Sequence, residues 1–253
     1  MSLVDQHVLV TGAGRGIGAA IAARLTRDGA RVTALGRSEA PLQALVARGA
    51  AASYETADVT SEAAMAEACA KAAAKNGPID VLIANAGGAE SAPFLKTNAA
   101  AFQRMFDLNV MGVANGARAV LPGMIERRKG RIIAVASTAG LRGYAYVSAY
   151  VASKHAVIGL VRSLALETAR SGVTINAVCP GFADTDMTEE SIAKIMEKTG
   201  RKRDQALAEL AKHNPQGRLI APEEVADAVA WLIGPAASAI TGQSIAVAGG
   251  EVM

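Results

Sequence analysis

The sequence predicts an α/β fold in one domain: a parallel sheet with helices on both faces. Seven short apolar runs, at 7–10, 31–35, 52–55, 79–84, 131–136, 173–178 and 244–248, alternate with segments of helical pattern along the whole chain. The run at 79–84 is almost continuously apolar, which suits a strand buried on both faces. With 253 residues, 51% hydrophobic and only 4% aromatic, the chain has enough material for one large aliphatic, alanine-rich core. No linker, repeat or low-complexity stretch divides it.

Composition removes several classes of function. A net charge of +3, from 26 basic and 23 acidic residues, gives no argument for nucleic acid or a membrane surface. No apolar run reaches the roughly 18 residues of a membrane span. No basic-then-apolar leader precedes the first strand, so a signal peptide is not expected. Cys69 and Cys179 form neither a metal or redox spacing nor a disulfide framework, and read as buried free thiols of a cytoplasmic protein.

The first strand runs into a glycine turn, Gly12-Ala13-Gly14-Arg15-Gly16-Ile17-Gly18, then a helix over 19–28 closed by Gly29. Strand, glycine turn and helix make the first half of a dinucleotide-binding unit. The glycines let backbone approach a pyrophosphate, and the helix N–H groups point at it. The bland alternative is a turn that packs helix on sheet. After the second strand, an acid would hold the ribose 2′-hydroxyl of NAD, whereas an arginine suits the 2′-phosphate of NADP. No acid stands between Asp28 and Glu39, and Arg37 does, so NADP(H) is expected, with NAD(H) as the alternative. Arg15 is placed to reach the same phosphate.

A helix over 42–48 leads to the third strand. Asp58, at that strand's C-terminal edge, suits either an adenine contact or the N-cap of the next helix, 61–76. Asn85-Ala86-Gly87-Gly88 follows the fourth strand as a small-residue turn that permits close ligand approach. A single helix is predicted over 99–120. Asn109 within it is a misfit, either solvent-facing or bonding backbone and a water at a distortion. Ser137 ends the fifth strand, at the ligand-binding edge of a parallel sheet. Three of the four tyrosines fall within 144–150; Tyr144 and Tyr146 either wall a pocket or cover the core edge. The sixth strand is followed by Pro180, Gly181, Phe182, Ala183 and Thr185. The stretch 186–219, helical but broken at Gly200 and Pro215, is long for a connection and reads as a lid. Its basic cluster, Lys198, Arg201, Lys202 and Arg203, either meets phosphates of a coenzyme or carrier or forms a solvated face. A helix over 223–233 precedes the last strand.

Tyr150 and Lys154 lie one helical turn apart on a segment running from Ser148 to Ala169. An ammonium beside a phenol favours phenolate, so Lys154 is expected to pull Tyr150 below the usual tyrosine range of about 10. Such a tyrosine can give a proton to a carbonyl oxygen or take one from an alcohol.

Taken together, Thr11-Gly12-x3-Gly16-x-Gly18, Asp58, Asn85-Ala86-Gly87, Asn109, Ser137, Tyr150-x3-Lys154 and Pro180-Gly181 make the chain resemble the short-chain dehydrogenase/reductase family over essentially its full length. Within the family it looks most like β-ketoacyl reductases and polyketide ketoreductases. The resemblance implies a Rossmann-like doubly wound sheet in the order 3-2-1-4-5-6-7. It also implies a dinucleotide-binding half over about 1–135, a catalytic half over about 136–253 with its lid at 186–219, and a homotetramer or homodimer. It implies Tyr150 as acid and base, Lys154 as its partner on the nicotinamide ribose, Ser137 on the substrate oxygen, and Asn109 holding a water linked to Lys154. Gly12, Arg15, Gly16, Ile17 and Gly18 would line pyrophosphate and ribose, Arg37 the 2′-phosphate, and Asp58 and Val59 the adenine. Asn85, Ala86 and Gly87 would pack along the cofactor, and Pro180, Gly181, Ala183 and Thr185 against nicotinamide. No metal is implied. The expected activity is NADP(H)-dependent reduction of a ketone, a 3-oxoacyl thioester of carrier protein or coenzyme A. The alternative is an NAD-dependent catabolic dehydrogenase of a 3-hydroxyacyl-CoA or a cyclic or aryl secondary alcohol. A non-catalytic nucleotide-binding scaffold, expected to have lost Tyr150 or Lys154, is a third reading.

Overall fold

The computed structural model describes residues 3–253. Its elements follow in alternation: β1 (His7–Thr11), α1 (Gly16–Arg27), β2 (Arg31–Gly36), α2 (Glu39–Ala47), β3 (Ser53–Thr56), α3 (Glu62–Asn76), β4 (Val81–Ala84), α4 (Ala99–Phe106), α5 (Gly112–Glu126) and β5 (Gly130–Val135). Then come α6 (Ser148–Thr168), β6 (Val173–Pro180), α7 (Asp186–Thr199), α8 (Arg203–Ala211), α9 (Pro222–Ile233) and β7 (Ser244–Val247). The strands form one sheet in the order β3-β2-β1-β4-β5-β6-β7, every neighbouring pair parallel. The order reverses between β1 and β4, so connections leave in opposite directions there and open a crevice at the strands' C-terminal ends.

The sheet is buried on both faces because alternate residues of each strand point to opposite sides. Val8, Val10, Val81, Ile83, Val135 and Val178 pack against α1, α2 and α9 through Ile21, Leu25, Leu42, Val225 and Val229. Leu9, Leu82, Ile132, Ile175 and Ala177 pack the other way, on α3, α5 and α6 through Met65, Val113, Val120, Val157 and Val161. A third, smaller cluster joins Ile192, Ala206 and Leu210 of α7 and α8 to Phe182 and Leu219, seating the 186–219 stretch on the sheet's edge. Gly200 (φ +67°) caps α7 in the left-handed conformation and so breaks the stretch into two helices.

Two sequence expectations change. The predicted 99–120 helix is α4 and α5 joined by a π-helical stretch, Asp107–Met111, with Asn109 buried inside it. It also continues to Glu126, because Met124 is a core residue. Asp58 does not cap α3. Ser61 does, accepting the Ala64 N–H at 3.2 Å, while Asp58 Oδ1 accepts both the N–H and the hydroxyl of Thr60 at 2.9 Å.

Candidate active site

The glycine turn is dictated by crowding. Gly12 has φ +64°, and a Cβ there would lie 2.8 Å from the Ala86 Cα; one on Gly18 would lie 2.3 Å from the Gly12 carbonyl oxygen. The β4 turn is stitched to this one. Thr11 Oγ1 accepts the N–H groups of Asn85 and Ala86, both at 3.0 Å, and Asn85 Nδ2 donates to the Thr11 and Gly12 oxygens at 2.9 and 3.2 Å. At the α1 N-terminus, Arg15 makes no side-chain cap. The first-turn N–H groups of Gly16, Ile17 and Gly18 therefore face the crevice as donors suited to phosphate.

Arg37 is exposed at the end of β2, close to Asp58. The Thr60 N–H, more than Arg37, holds the Asp58 carboxyl below the usual aspartate range. Arg15 lies against the lid, its Nη1 3.5 Å from Glu190 and 3.8 Å from Asp186. Val59 turns its side chain into the core toward Gly112, and its carbonyl accepts Asn115 Nδ2 at 2.9 Å. Asn115, a residue the sequence reading passed over, thereby fixes the backbone beside Asp58. The 181–185 loop folds back over the glycine turn. Pro180 pairs with Val247, the Gly181 N–H donates to the Val247 oxygen at 3.0 Å, Ala183 bridges to Ile220, and a Cβ on Gly16 would stand 3.3 Å from Thr185 Cγ2.

At the C-terminal end of β5, Ser137, Tyr150 and Lys154 meet. The Ser137 hydroxyl stands next to the Tyr150 phenol, near enough to favour its ionised form, and its oxygen accepts the Ala139 N–H at 3.0 Å. Lys154 is buried (5% exposed), donates to the Val135 carbonyl at 3.0 Å, and sits 5.7 Å from the centroid of the Tyr150 ring. The expectation that Lys154 depresses Tyr150 is corrected here. Burial dominates and raises the phenol above the usual tyrosine range, with only the Ser137 hydrogen bond pulling it down. The ammonium lies over the ring rather than against the phenol oxygen. Burial acts on Lys154 as well, bringing it down to about 8.

Asn109 is turned inward by the π stretch, which inserts an extra residue per turn. Its Oδ1 accepts the Gly88 N–H at 3.1 Å, and its Nδ2 donates to the Gly88 oxygen at 3.0 Å and to Ser153 Oγ at 3.1 Å. Ser153 in turn donates to the Tyr150 carbonyl at 2.7 Å. A Cβ on Gly87 would stand 2.8 Å from Asn109 Oδ1 and 3.4 Å from Lys154 Nζ, so that glycine is needed for the approach. Cys179 belongs to this group, which no motif or spacing signals. Burial pushes its thiol up to about 11, with the Ser137 backbone N–H and the Lys154 ammonium nearby pulling the other way.

Beyond Ser137, Tyr144 meets Phe182 edge-on at 6.2 Å and His213 at 5.8 Å, and its phenol reaches Thr138 Oγ1 at 2.7 Å and Glu251. Tyr144 thus packs between the start of the 181–185 loop and the end of the lid. Tyr146 is 66% exposed, at φ +68°, with its carbonyl accepting the Ala92 N–H at 2.8 Å. His213 and Glu251 are sequence-distant and were not anticipated. Of the basic cluster, Arg203 pairs with Glu189 and Arg201 with Glu209, so acids of the lid offset its charge. Outside the lid a groove of about 610 Å³ runs between Asp184, Arg203, Leu207, Arg218 and Leu219. Among the described residues no group of three or more His, Cys, Asp or Glu side chains is placed to hold a metal. No described helix is long and apolar enough to cross a membrane.

Comparison with known proteins bears on this geometry. The family model described as short chain dehydrogenase matches residues 6–195. A Streptomyces coelicolor protein, provisionally described as a ketoacyl reductase, is 39% identical over 99% of this chain and 98% of its own. The cis-4-hydroxycyclohexanecarboxylate dehydrogenase of Sinomonas cyclohexanicum is 38% identical over 98% of this chain and 97% of its own. Among solved structures, a variant of actinorhodin polyketide ketoreductase with NADPH superposes with a TM-score of 0.94, at 36% identity and 99% coverage of both chains.

Proposed function

The chain belongs to the short-chain dehydrogenase family, as an oxidoreductase of alcohols and ketones, and we propose that it is an NADP(H)-dependent ketoreductase whose substrate is a 3-oxoacyl thioester of carrier protein or coenzyme A. The observation that carries this reading is the Ser137–Tyr150–Lys154 group at the sheet edge beside an uncapped glycine-turn helix. The bound dinucleotide supplies the hydride. The residues present fit it: Gly12 and Gly18 leave space that a side chain would fill, the α1 N–H groups suit its pyrophosphate, and Arg37, exposed at the end of β2, suits a 2′-phosphate.

In the proposed reduction, the substrate carbonyl oxygen lies between Ser137 and Tyr150. Ser137 donates a hydrogen bond to it, strengthening as negative charge develops. Tyr150, protonated at neutral pH, transfers its phenolic proton to the same oxygen. Lys154 stabilises the phenolate left behind and holds the nicotinamide ribose hydroxyls. Asn109, clamped to Gly88 and Ser153, fixes the π stretch against the catalytic helix and holds the water that returns a proton toward Lys154. Asn85, Ala86 and Gly87 would pack along the cofactor, Asp58 and the Val59 backbone at its adenine, and Pro180, Gly181, Ala183 and Thr185 at its nicotinamide.

The likeness to a ketoacyl reductase and to a polyketide ketoreductase with NADPH supports the thioester and the cofactor. The dehydrogenase relative supports a second reading, oxidation of a cyclic secondary alcohol, for which NAD would be the cofactor. Paired NADPH and NADH titrations separate the two. The first reading expects NADPH to bind about tenfold or more tighter, with Arg37→Ala removing the preference; equal or tighter NADH binding contradicts it. A cytoplasmic homotetramer completes the proposal, supported by buried thiols at Cys69 and Cys179 and by exposed Leu166 (81%) and Trp231 (43%) on α6 and α9. Light scattering at a monomer mass would count against that assembly.

A further inference from the structure

The turn after β3, which carries Asp58, is tied to α5 by a buried hydrogen bond. Asn115 is 2% exposed, and its Nδ2 donates to the Val59 carbonyl at 2.9 Å. Gly112, three residues earlier on the same helical face, makes room for the turn: a Cβ there would lie 2.9 Å from Val59 Cγ2. Asn115 Oδ1 is buried and meets no hydrogen-bond partner among the described residues. Leaving that oxygen unpaired is costly. An apolar residue of similar shape would avoid the cost, so the donor on Nδ2 is what the asparagine adds.

The Val59 carbonyl and the Thr60 N–H belong to one planar peptide unit. Asn115 holds the carbonyl end. The N–H end donates to Asp58 Oδ1 at 2.9 Å, where the Thr60 hydroxyl joins it, also at 2.9 Å. Asn115 therefore sets the direction of the N–H that aims the Asp58 carboxylate. Both donors fall on Oδ1, which leaves Oδ2 of this exposed residue to solvent or to a ligand. An acceptor held in that way suits a ring edge that carries a donor. The 6-amino group of adenine is one, whereas hypoxanthine has at that place a carbonyl that a carboxylate repels.

We propose that Asn115 is a positioning residue for purine selectivity: by holding the 59–60 peptide it keeps the Asp58 carboxylate aimed so that the cofactor's purine is accepted with a 6-amino group and disfavoured with a 6-oxo group. This rests on the dinucleotide reading and deepens it, independently of the 2′-phosphate and of the ketone. Without Asn115 the Val59 carbonyl is left unpaired in the interior. It is then driven to turn toward another donor, and the Thr60 N–H turns with it, away from Asp58.

The test titrates the full-length protein with four reduced dinucleotides, followed by nicotinamide fluorescence: NADPH, NADH and their 6-oxo counterparts, deamino-NADPH and deamino-NADH. Two ratios of dissociation constants are read, amino against deamino and phosphate against no phosphate. The wild type is expected to bind the amino forms about tenfold or more tighter in both phosphate states. Asn115→Leu brings that purine ratio to within about twofold of one and leaves the phosphate ratio in place. If Asn115→Leu fails to fold, Asn115→Ala, which also removes the donor, carries the same expectation. Asp58→Ala loses the purine ratio too, and adding Asn115→Leu to it changes the ratio no further, because both act through one carboxylate. The inference is overturned if the wild type binds amino and deamino forms equally, if the purine ratio survives Asn115→Leu, if both ratios collapse together, or if no dinucleotide binds. A wild-type phosphate ratio near one, with the purine ratio intact and lost in Asn115→Leu, supports the role of Asn115 while contradicting the NADP(H) reading.

Discussion

Tyr150 keeps its proton at neutral pH because burial outweighs the Ser137 hydrogen bond, and that is the state a general acid for ketone reduction needs. Lys154 is the group that titrates within reach. Burial lowers it to about 8, so it is cationic below that pH and neutral above. Reductive kcat is therefore expected to hold through neutrality and fall as pH rises through about 8. Lys154→Arg, whose guanidinium stays charged, should move the falling limb to higher pH even as the rate drops. A limb that does not move would assign it to another group. The spacing of Tyr150 and Lys154 was legible in the sequence. The sign of the tyrosine's shift was not, because a helical register says nothing of what closes over the residue. The place of Cys179 was hidden for the same reason: its neighbours Ser137 and Lys154 come from the next strand's end and from α6.

Among the elements, the junction of α4, the π stretch and α6 does most to place the site. Asn109 was legible as a misfit in a helix, and its misfit marks the distortion. The π register itself was not legible, since the 99–120 pattern fits an unbroken helix until Ser153 and Gly88 are brought to it. Ser153→Ala should orphan part of the Asn109 amide and release the Tyr150 carbonyl. The expected loss is about 1–3 kcal/mol of stability, read from urea midpoints, together with a lower kcat at little-changed KM. Ser153→Thr, which keeps the hydroxyl, should restore part of the kcat if the bond positions the helix. The lid was legible as a long polar connection, and Gly200 as its break. What the lid faces was not, because Phe182, His213 and Tyr144 come from three separate segments.

Across the whole molecule, the parallel sheet puts the glycine turn, Ser137 and the 180–185 loop on one edge, while the opposite edge carries a purely structural network. His7 Nδ1 donates to the Gly77 oxygen at 2.7 Å and its Nε2 accepts from Thr33 at 2.8 Å, with Asn76 and Ser53 closing the ring. Burial lowers the His7 pKa, so the unfolded chain binds its proton more readily than the folded one. Stability is expected to be fully present above the unfolded value of 6.5 and to fall as pH drops from there toward the lowered folded value. The slope from this group is at most about 1.4 kcal/mol per pH unit. His7→Asn should flatten that slope in urea titrations at pH 5 and 7, and an unchanged slope would place its source elsewhere. The alternation of strands and helices was enough to read the fold class. The resemblance, not the pattern, supplied the strand order, which depends on crossovers that local periodicity does not encode. Asn115 was the least legible of all, a polar residue inside a helix and meaningful only where the turn after β3 is brought against α5.

The central claim is that Tyr150 supplies the proton in an NADPH-dependent ketone reduction. The most direct test is NADPH oxidation with acetoacetyl-CoA by the wild type and Tyr150→Phe, with NADPH binding measured alongside. Wild-type turnover is expected, with a loss of about 10²–10⁴ in kcat for the variant, larger than any change in cofactor affinity. Turnover by Tyr150→Phe at the wild-type rate would contradict it.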